Sequence, residues 1–518
     1  MDRRQLGITI TAVALALVLG VGITLLATSG SDEQATTTIG GPSTTSSSGA
    51  SSTSTSTPPA TTRPPIVTVP TRPPGTVVII PPSTTTTRSK QPPRTQPTTT
   101  APPATVAPAA TAPPTTTAPT APVTTVPATT AEPSTTTTTT TATGDTDVGV
   151  TATRIRLAVI ADDDEVLEGA RAWAGVVNRR GGIAGHKLRL DLLPTQGTAE
   201  GYAAAMTTAC ERDFAVVAGL SAFDANTAPL DCGIPDVPIE AIAPAHAARD
   251  TTYAAFPRRP GTEAGGPYRY LQSAIAGCCS QYVLVPDAEP ARAATDATVA
   301  AAAEIGFETI ATPEVSLDAP TTDYDALAQD LVASEASFVA SGLGRESTIE
   351  FRRAAATVGV VGVDAWYCDA RCYDRSFLTE GADVVDRQYV AIETVPLGDR
   401  RGVRALRTYL VASARNGDDP GYTGLRAYAT GLLAEEALRV VVDEHGANGI
   451  TRARLLDALA GIEGFTAGGI IGPTDIGARA PNGCSVVLQV QDGRFARVHP
   501  AERGSLDCGA QNLVEVDD

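Results

Sequence analysis

One stretch of low-complexity sequence limits what this 518-residue chain can fold into. Residues 31–146 contain 40 Thr, 22 Pro and 12 Ser in 116 positions, and no aromatic residue. Such a segment cannot bury enough apolar surface to offset its conformational entropy, so we expect it to be disordered. Because proline favours an extended backbone, the segment is predicted to be a stalk. The foldable part is residues 147–518, which is long enough for two lobes.

A largely apolar run precedes the stalk. Arg3 and Arg4 are followed by 21 uncharged residues from Gly7 to Ala27. A helix of that length spans the hydrocarbon core of a bilayer, and the basic residues before it predict a cytoplasmic N-terminus. Residues 1–30 are therefore predicted to be a single-pass anchor in the cell membrane, with the globular part extracellular. A cleaved signal peptide is the alternative, and it also exports the rest of the chain.

The charge of the chain is concentrated in its globular part. The formal net charge is −18, and residues 1–30 and the stalk each contribute +1, so residues 147–518 carry −20. An acidic surface repels the phosphates of nucleic acids and of anionic lipids. We therefore expect no nucleic-acid partner, and contact with the membrane only through the N-terminal helix.

All eight cysteines lie in the exported globular part. An even number outside the cytoplasm predicts disulfides. The preferred local pairs are Cys210 with Cys232 and Cys484 with Cys508, and Cys368 could close a small loop with Cys372. The adjacent Cys278 and Cys279 could bond to each other or to distant partners. A metal site is the weaker alternative, because no Cys-x-x-Cys occurs and the four His are isolated in the sequence, at 186, 246, 445 and 499.

Hydrophobic periodicity predicts two successive series of alternating strands and helices. The first has strands at 155–160, 187–193, 214–219 and 237–242, with helices at 165–179 and 199–210. The second has strands at 281–285, 307–310, 337–340 and 365–367, with helices at 291–305, 324–334 and 345–357. This alternation predicts an α/β fold with parallel sheets covered by helices on both faces. Ligands bind such lobes at the carboxyl ends of the strands.

Four short motifs follow one another in a characteristic order. Residues 178–185 read Asn-Arg-Arg-Gly-Gly-Ile-Ala-Gly, where the paired glycines supply the left-handed turn that ends the first helix. Thr-Asp-Tyr at 322–324, Gly-Pro-Thr at 472–474 and Val-Gln-Asp-Gly-Arg-Phe at 490–495 come later. In this order they resemble type I periplasmic binding proteins, similar to the branched-chain amino-acid (leucine/isoleucine/valine) substrate-binding proteins of ABC transporters. The resemblance covers about residues 148–500.

The resemblance implies two Rossmann-like lobes joined by a hinge that close on a small ligand. Lobe 1 would comprise about residues 150–270 and lobe 2 about residues 271–395, each with part of the C-terminal region. It implies an extracytoplasmic solute-binding protein for a polar or amino-acid-like ligand, working with an ABC permease or in sensing. The alternative is a degenerate binding-protein fold that serves as a cell-surface or wall-spanning interaction module. Neither requires a cofactor, and the sequence carries no Gly-x-Ser-x-Gly, His-Glu-x-x-His or P-loop signature of an enzyme.

Ligand contacts in lobe 1 are carried over from the family's loops. The loop after the third strand presents N–H and hydroxyl groups to a ligand carboxylate, and the matching residues here are 219–224. Ser221 is a candidate donor or a plain helix N-cap, and Phe223 is beside it. Asp224 in the same loop would oppose a carboxylate. His246 in the next loop and Asp162 after the first strand are further candidates.

Lobe 2 supplies four more candidate ligand-binding residues. Asp287 follows the strand at 281–285, in a loop that lacks the family's aromatic–Gly pair. Trp366 and Tyr367 end a strand, where an aromatic ring could cover an apolar ligand or pack in the core. Asp369 comes next and could pair with a ligand amine. No catalytic residue or metal ligand is predicted.

Overall fold

Strands and helices alternate along the chain. The structure is a computed structural model that describes residues 144–225, 232–316 and 322–516. The strands are β1 (Val150–Thr151), β2 (Arg154–Ile160), β3 (Lys187–Leu193), β4 (Ala215–Val217), β5 (Asp236–Val237), β6 (Thr262–Ala264), β7 (Ser280–Pro286), β8 (Glu308–Ala311), β9 (Glu314–Val315), β10 (Phe338–Ser341), β11 (Ala365–Cys368), β12 (Gln388–Ile392), β13 (Val486–Gln491), β14 (Arg494–His499) and β15 (Leu513–Glu515). The helices are α1 (Asp164–Arg179), α2 (Ala199–Arg212), α3 (Pro244–Ala247), α4 (Gly266–Ala274), α5 (Ala291–Ile305), α6 (Tyr324–Ser334), α7 (Arg345–Val358), α8 (Arg375–Glu380), α9 (Arg404–Asn416), α10 (Tyr422–His445) and α11 (Arg452–Ala460).

The first sheet is built around β2. Strands β3 and β4 pair with β2 in parallel, β5 extends the sheet beyond β4, and β1 pairs with β2 antiparallel. The strand predicted at 237–242 is wrong for most of its length, because only Asp236 and Val237 join the sheet. The pairing becomes irregular after Val237: the N–H of Ile239 still donates to the carbonyl of Gly219, at 2.9 Å, but outside the regular ladder. Residues 238–243 form the loop between β5 and α3.

The second sheet is mixed rather than wholly parallel. Its order is β14-β13-β12-β11-β10-β7-β8, with β9 paired to β7. Strands β12, β11, β10, β7 and β8 run parallel to one another. Strand β13 pairs antiparallel with both β12 and β14. Asp492 and Gly493 join β13 to β14 with φ of 51° and 70°, the left-handed conformations of a tight hairpin turn. A two-residue turn can connect only antiparallel strands, so this edge departs from the predicted parallel order.

The buried apolar side chains divide into a core for each lobe. The first core draws on residues 150–256 and 395–476. The cores around the second sheet draw on residues 268–392 and 486–514, with Tyr422 as an addition from α10. The chain therefore passes between the lobes three times, through hinge segments at 257–267, 393–394 and 477–485. The small sheet of β6 and β15 lies at the first of these crossings.

Four disulfides are present in the described residues, and all agree with pairings considered from the sequence. They are Cys210–Cys232, Cys278–Cys279, Cys368–Cys372 and Cys484–Cys508, which leave no free cysteine there. The described part contains no cluster of His, Cys, Asp or Glu suited to a metal ion. None of its helices is long and apolar enough to cross a membrane. The predicted membrane helix at 7–27 and the stalk up to residue 143 lie outside the described residues.

Candidate functional site

A cavity of 460 Å³ lies between the two lobes. Its first wall is formed by Glu165 and residues 419–422, at the starts of α1 and α10. Its second wall is formed by residues from 373–379 together with Phe495 of β14. Leu397, just after the second hinge segment, also lines the cavity. A volume of this size is in the range of pockets that hold small organic molecules. The cavity is thus lined by groups from both lobes.

The first wall depends on a close approach of α1 to α10. A Cβ atom on Gly169 would lie 2.1 Å from the carbonyl oxygen of Gly424, so neither helix could carry a larger side chain at this contact without moving. The approach places Glu165 beside the first turn of α10. There its carboxylate accepts hydrogen bonds from the backbone N–H of Thr423, at 3.1 Å, and of Gly424. Since the N-cap Gly421 has no side chain, Glu165 satisfies N–H groups that the helix cannot satisfy itself.

Glu165 carries a charge that nearby basic groups do not balance. Burial raises the pKa of its carboxyl group, and the nearby carboxylates of Asp163 and Asp374 raise it further. No ion pair within the described residues involves Glu165; the basic group on the cavity wall, Arg375, pairs instead with Asp419. A buried carboxylate among like charges favours a positively charged neighbour.

The second wall is aromatic, and its rings meet that of Tyr422 from the first wall. The ring of Tyr373 lies 4.8 Å from that of Phe495 and 5.8 Å from that of Tyr422, measured between centroids. The Tyr373 hydroxyl accepts a hydrogen bond from the N–H of Leu397 at 3.0 Å, and the Tyr422 hydroxyl accepts one from Glu393 at 3.3 Å. Burial raises the pKa of Tyr373 to about 12 and that of Tyr422 as well, so both phenols stay neutral. Their hydroxyls are anchored to the second hinge segment and its continuation.

The mouth of the cavity is bridged by an exposed ion pair. Arg375 in lobe 2 contacts Asp419 in lobe 1 at 2.8 Å, and the two side chains are 73% and 69% exposed. Exposed pairs contribute about 0–1 kcal/mol, so this link opens at little cost. Asp374 beside it caps α8 by accepting a hydrogen bond from the N–H of Ser376.

A second group of charges ties α10 to the hinge segments. Arg426 lies 2.7 Å from Glu240 and 3.6 Å from Glu393, and Arg258 also pairs with Glu240. Burial opposes ionisation of Glu240, but the guanidinium groups of Arg258 and Arg426 outweigh it and lower its pKa to about 2. The network lines a space of 50 Å³ that is too small for a metabolite. We interpret it as a structural support of the hinge.

His246 is enclosed by two carboxylates of its own lobe. Its Nδ1 lies 2.9 Å from Asp224 and its Nε2 lies 2.5 Å from Asp236, and the residue is only 2% exposed. Burial alone would lower the pKa of His246, but these carboxylates raise it to about 10, so the ring is an imidazolium with both N–H groups engaged. Asp224 also accepts hydrogen bonds from the N–H groups of Ile242 and Ala243, at 2.7 and 2.9 Å. The cluster holds the loop after β5 and leaves no nitrogen of His246 for a ligand.

The other lobe 1 candidates also have partners within the chain. The Ser221 hydroxyl accepts a hydrogen bond from the N–H of Phe223 in a turn, so the helix that it would cap is absent from residues 222–225. Ser221 and His246 border a residual space of only 10 Å³. Asp162 accepts hydrogen bonds from Thr195 and the two residues after it. Burial alone would raise the pKa of Asp162, but these hydrogen bonds together lower it. Asp162 therefore supports the loop at 195–197.

Trp366 and Tyr367 face opposite sides of the second sheet and pack in its cores. Trp366 lies under the guanidinium of Arg352, 4.2 Å from the ring centroid, and contacts Phe351. Tyr367 is 7% exposed and packs against Tyr268 at 5.1 Å. The core alternative is therefore the one observed for both rings, and the predicted cover for a ligand is not formed by them.

The two acidic candidates of lobe 2 also lie away from the cavity. Asp369 caps the turn of 3₁₀-helix at 370–372 and pairs with Arg371 at 3.0 Å. Asp287 is exposed at the end of β7. None of the eight predicted ligand residues lines the 460 Å³ cavity. A ligand role for these eight residues stays a prediction.

None of the 13 residues that line the cavity was predicted as a ligand contact, and four of them carry its chemistry: Glu165, Tyr373, Tyr422 and Phe495. Only Phe495 had a local signal, since it closes the motif at 490–495. Glu165 lies in an acidic helix start that is usual for any helix, and Tyr422 follows a Pro-Gly pair that predicts only a turn. Their placement in one wall depends on the contact between α1 and α10, which no local pattern reveals.

Comparisons with known proteins place this architecture in a family. A family model described as periplasmic binding protein matches residues 161–494. A leucine binding protein from Thermotoga maritima is 16% identical, with a TM-score of 0.54 over 66% of this chain and 97% of that one. A fatty acid ABC transporter substrate-binding protein from Thermomonospora curvata is 14% identical, with a TM-score of 0.56 over 71% and 96%. A solute binding protein of an ABC transporter from R. palustris, in complex with 4-hydroxybenzoate, is 16% identical, with a TM-score of 0.54 over 67% and 95%.

Because these identities are so low, the structural likeness shows the fold alone. The family model, in contrast, matches more than half of the chain and shows the family. No curated protein matches the sequence. The resemblance that the four motifs indicated is confirmed, and so is the α/β type I fold. The chain belongs to the periplasmic binding protein family.

Proposed function

We propose that this chain is an extracytoplasmic solute-binding protein that holds a small molecule between its lobes, for an ABC permease or for sensing. One observation carries the proposal: the 460 Å³ cavity has a wall from each lobe. A ligand that touches both walls stabilises the arrangement in which they are close, and this closure is the signal a permease or sensor can recognise. The proposal is supported by two proteins of the same fold that bind small molecules, the leucine binding protein and the solute binding protein in complex with 4-hydroxybenzoate.

The N-terminal part of the chain fits an exported location. We propose that residues 1–30 anchor the protein or serve as a signal peptide, and that the stalk at 31–146 holds the bilobal unit away from the membrane. Separation of cells into membrane and medium, with N-terminal sequencing of the protein, distinguishes the two. An intact Met1 in the membrane fraction supports the anchor, whereas a new N-terminus near residue 30 supports cleavage.

A thermal-shift screen of the purified full-length protein tests the binding function. Amino acids, peptides, amides, sugars, aromatic acids and amines would be the probes. A ligand that binds only the folded state raises the unfolding midpoint by mass action. Thr379→Trp should abolish the shift by filling the cavity, since Thr379 lines it. Thr357→Trp is the matched control, because Thr357 is exposed in the last turn of α7 and does not line the cavity.

The alternative function is an interaction module with no small ligand. The nearly filled space beside Ser221, of 10 Å³, favours this alternative, because the loops expected to bind a ligand there are closed by their own side chains. The screen separates the two functions. No shift from any class at millimolar concentration would refute the solute-binding proposal and favour the interaction module.

A further inference from the structure

The lining of the interlobe cavity is negatively charged. Its ionisable acids are Glu165, Asp374 and Asp419, against the single base Arg375. Arg375 is engaged by Asp419 at 2.8 Å, so these two charges offset each other. Asp374 has a distant partner in Arg345, whose guanidinium lies 3.9 Å away. Glu165 remains as the carboxylate without a basic partner in the described residues.

The positions that would hold an anion are already occupied by carboxylates of the chain. The start of a long helix is a favoured anion site, because its first N–H groups are free. At the start of α10 those of Thr423 and Gly424 are bound by Glu165. In the loop after β5, the N–H groups of Ile242 and Ala243 are bound by Asp224. A ligand carboxylate would have to compete with an internal one at either place.

The rest of the cavity lining, drawn from both walls, suits a cation with an apolar body. Tyr373, Tyr422 and Phe495 present three aromatic rings, and Leu378 and Leu397 add aliphatic surface. The two Tyr hydroxyls accept hydrogen bonds from backbone N–H groups, which fixes the rings in place. Aromatic faces attract ammonium and guanidinium groups, and more strongly when water is excluded.

We infer that, if the chain is a solute-binding protein as proposed, its interlobe cavity takes an organic cation: an amine or guanidinium on an apolar body, without a carboxylate. The cationic group lies against Glu165, and the body lies against the rings of Tyr373, Tyr422 and Phe495. This charge preference separates the chain from one that binds an amino acid through both its amine and its carboxylate. Burial and the carboxylates of Asp163 and Asp374 raise the pKa of Glu165, and a cation against Glu165 would offset both effects.

Three probes of nearly the same shape test the inference on the full-length protein. Phenethylamine is a cation, phenylacetate is an anion, and 2-phenylethanol is neutral. Calorimetric titration should show phenethylamine binding at least about tenfold more tightly than the other two, since one charge contact of this kind is worth about 1–2 kcal/mol. Failure of phenethylamine to bind, or equal binding of 2-phenylethanol, overturns the inference. A preference for phenylacetate overturns it as well but leaves the solute-binding proposal standing.

The variant Glu165→Gln locates the effect. Glutamine keeps an oxygen that can accept from Thr423, so the start of α10 stays capped while the charge is removed. We expect phenethylamine affinity to fall at least about tenfold and 2-phenylethanol affinity to stay the same. Glu168→Gln, one turn along α1 and outside the cavity lining, should leave both unchanged. An equal loss in both variants would show that overall acidity, and not this site, selects the cation.

Discussion

Two groups of carboxylates on the cleft side of lobe 1 differ in what neutralises them. Asp224 and Asp236 enclose His246, and all three side chains are at most 4% exposed. Glu165 lies among acids and aromatic rings with two backbone N–H groups as its donors. The first group completes its hydrogen bonds within the loop after β5. The second is half-buried at the wall of a cavity and has room for a partner from outside the chain.

The comparison shows that acidity alone does not mark a binding site in this protein. Of the two groups only His246 was a candidate ligand residue in the sequence, because its loop follows a strand of lobe 1. In the structure its groups are all used to hold the chain. The useful distinction is whether a buried charge has its partner within the fold, and three experiments test it.

The largest effect is expected for His246→Gln. Loss of the imidazolium leaves Asp224 and Asp236 close together and without a cation, which costs about 3–5 kcal/mol of the free energy of unfolding. Denaturant titration of the variant and the wild type measures it. His186→Gln is the control. His186 is also buried, but among the described residues its ring has only the Ile183 carbonyl, at 3.1 Å, as a partner. We expect it to cost about 1–2 kcal/mol, and an equal cost at both positions would contradict the role of the carboxylates.

A second test follows the His246 cluster with pH. The folded pKa of His246, about 10, lies above the ordinary value of 6.5, so the stabilisation is fully present below about pH 6.5 and is lost as pH rises toward 10. The wild type should therefore lose free energy of unfolding over this range relative to His246→Gln. Tyr202 beside the cluster does not interfere, because burial raises its pKa further above that range. Parallel pH profiles of the two proteins would show that His246 is not an imidazolium in the fold.

The smallest effect is expected for Glu165→Gln without ligand. Burial and the neighbouring acids disfavour its charge, so a neutral amide that still accepts from Thr423 should change the free energy of unfolding by less than about 1 kcal/mol. Denaturant titration at neutral pH measures this. A loss comparable to that of His246→Gln would mean that Glu165 is a structural charge like Asp224, and the distinction between the two groups would fail.

Much of the local structure could be predicted because its causes are local. The strand at 187–193 and the helices at 291–305 and 324–334 have the predicted bounds, since periods of 2 and 3.6 residues are visible within each segment. All four disulfides join cysteines at most 24 residues apart, and three of them are the local pairs that spacing favoured. At 238–242 an apolar run was read as a strand, but only Asp236 and Val237 pair regularly with β4. The antiparallel edge of the second sheet follows from the turn at Asp492 and Gly493, a signal whose effect depends on which strands are neighbours.

The candidate site could not be predicted in this way. Glu165 bonds to Thr423, 258 residues away, only because Gly169 and Gly424 allow α1 and α10 to touch. Tyr422 reaches the core of the second lobe from a helix of the first, and so it meets Tyr373. The sequence by itself determined most of the alternation of strands and helices up to residue 367, the preferred local cysteine pairs and the family, because these depend on short-range pattern and on motifs. The tertiary structure alone decided which carboxylate is satisfied and which faces open space, because the energy of a charge depends on its distant neighbours and on access to water.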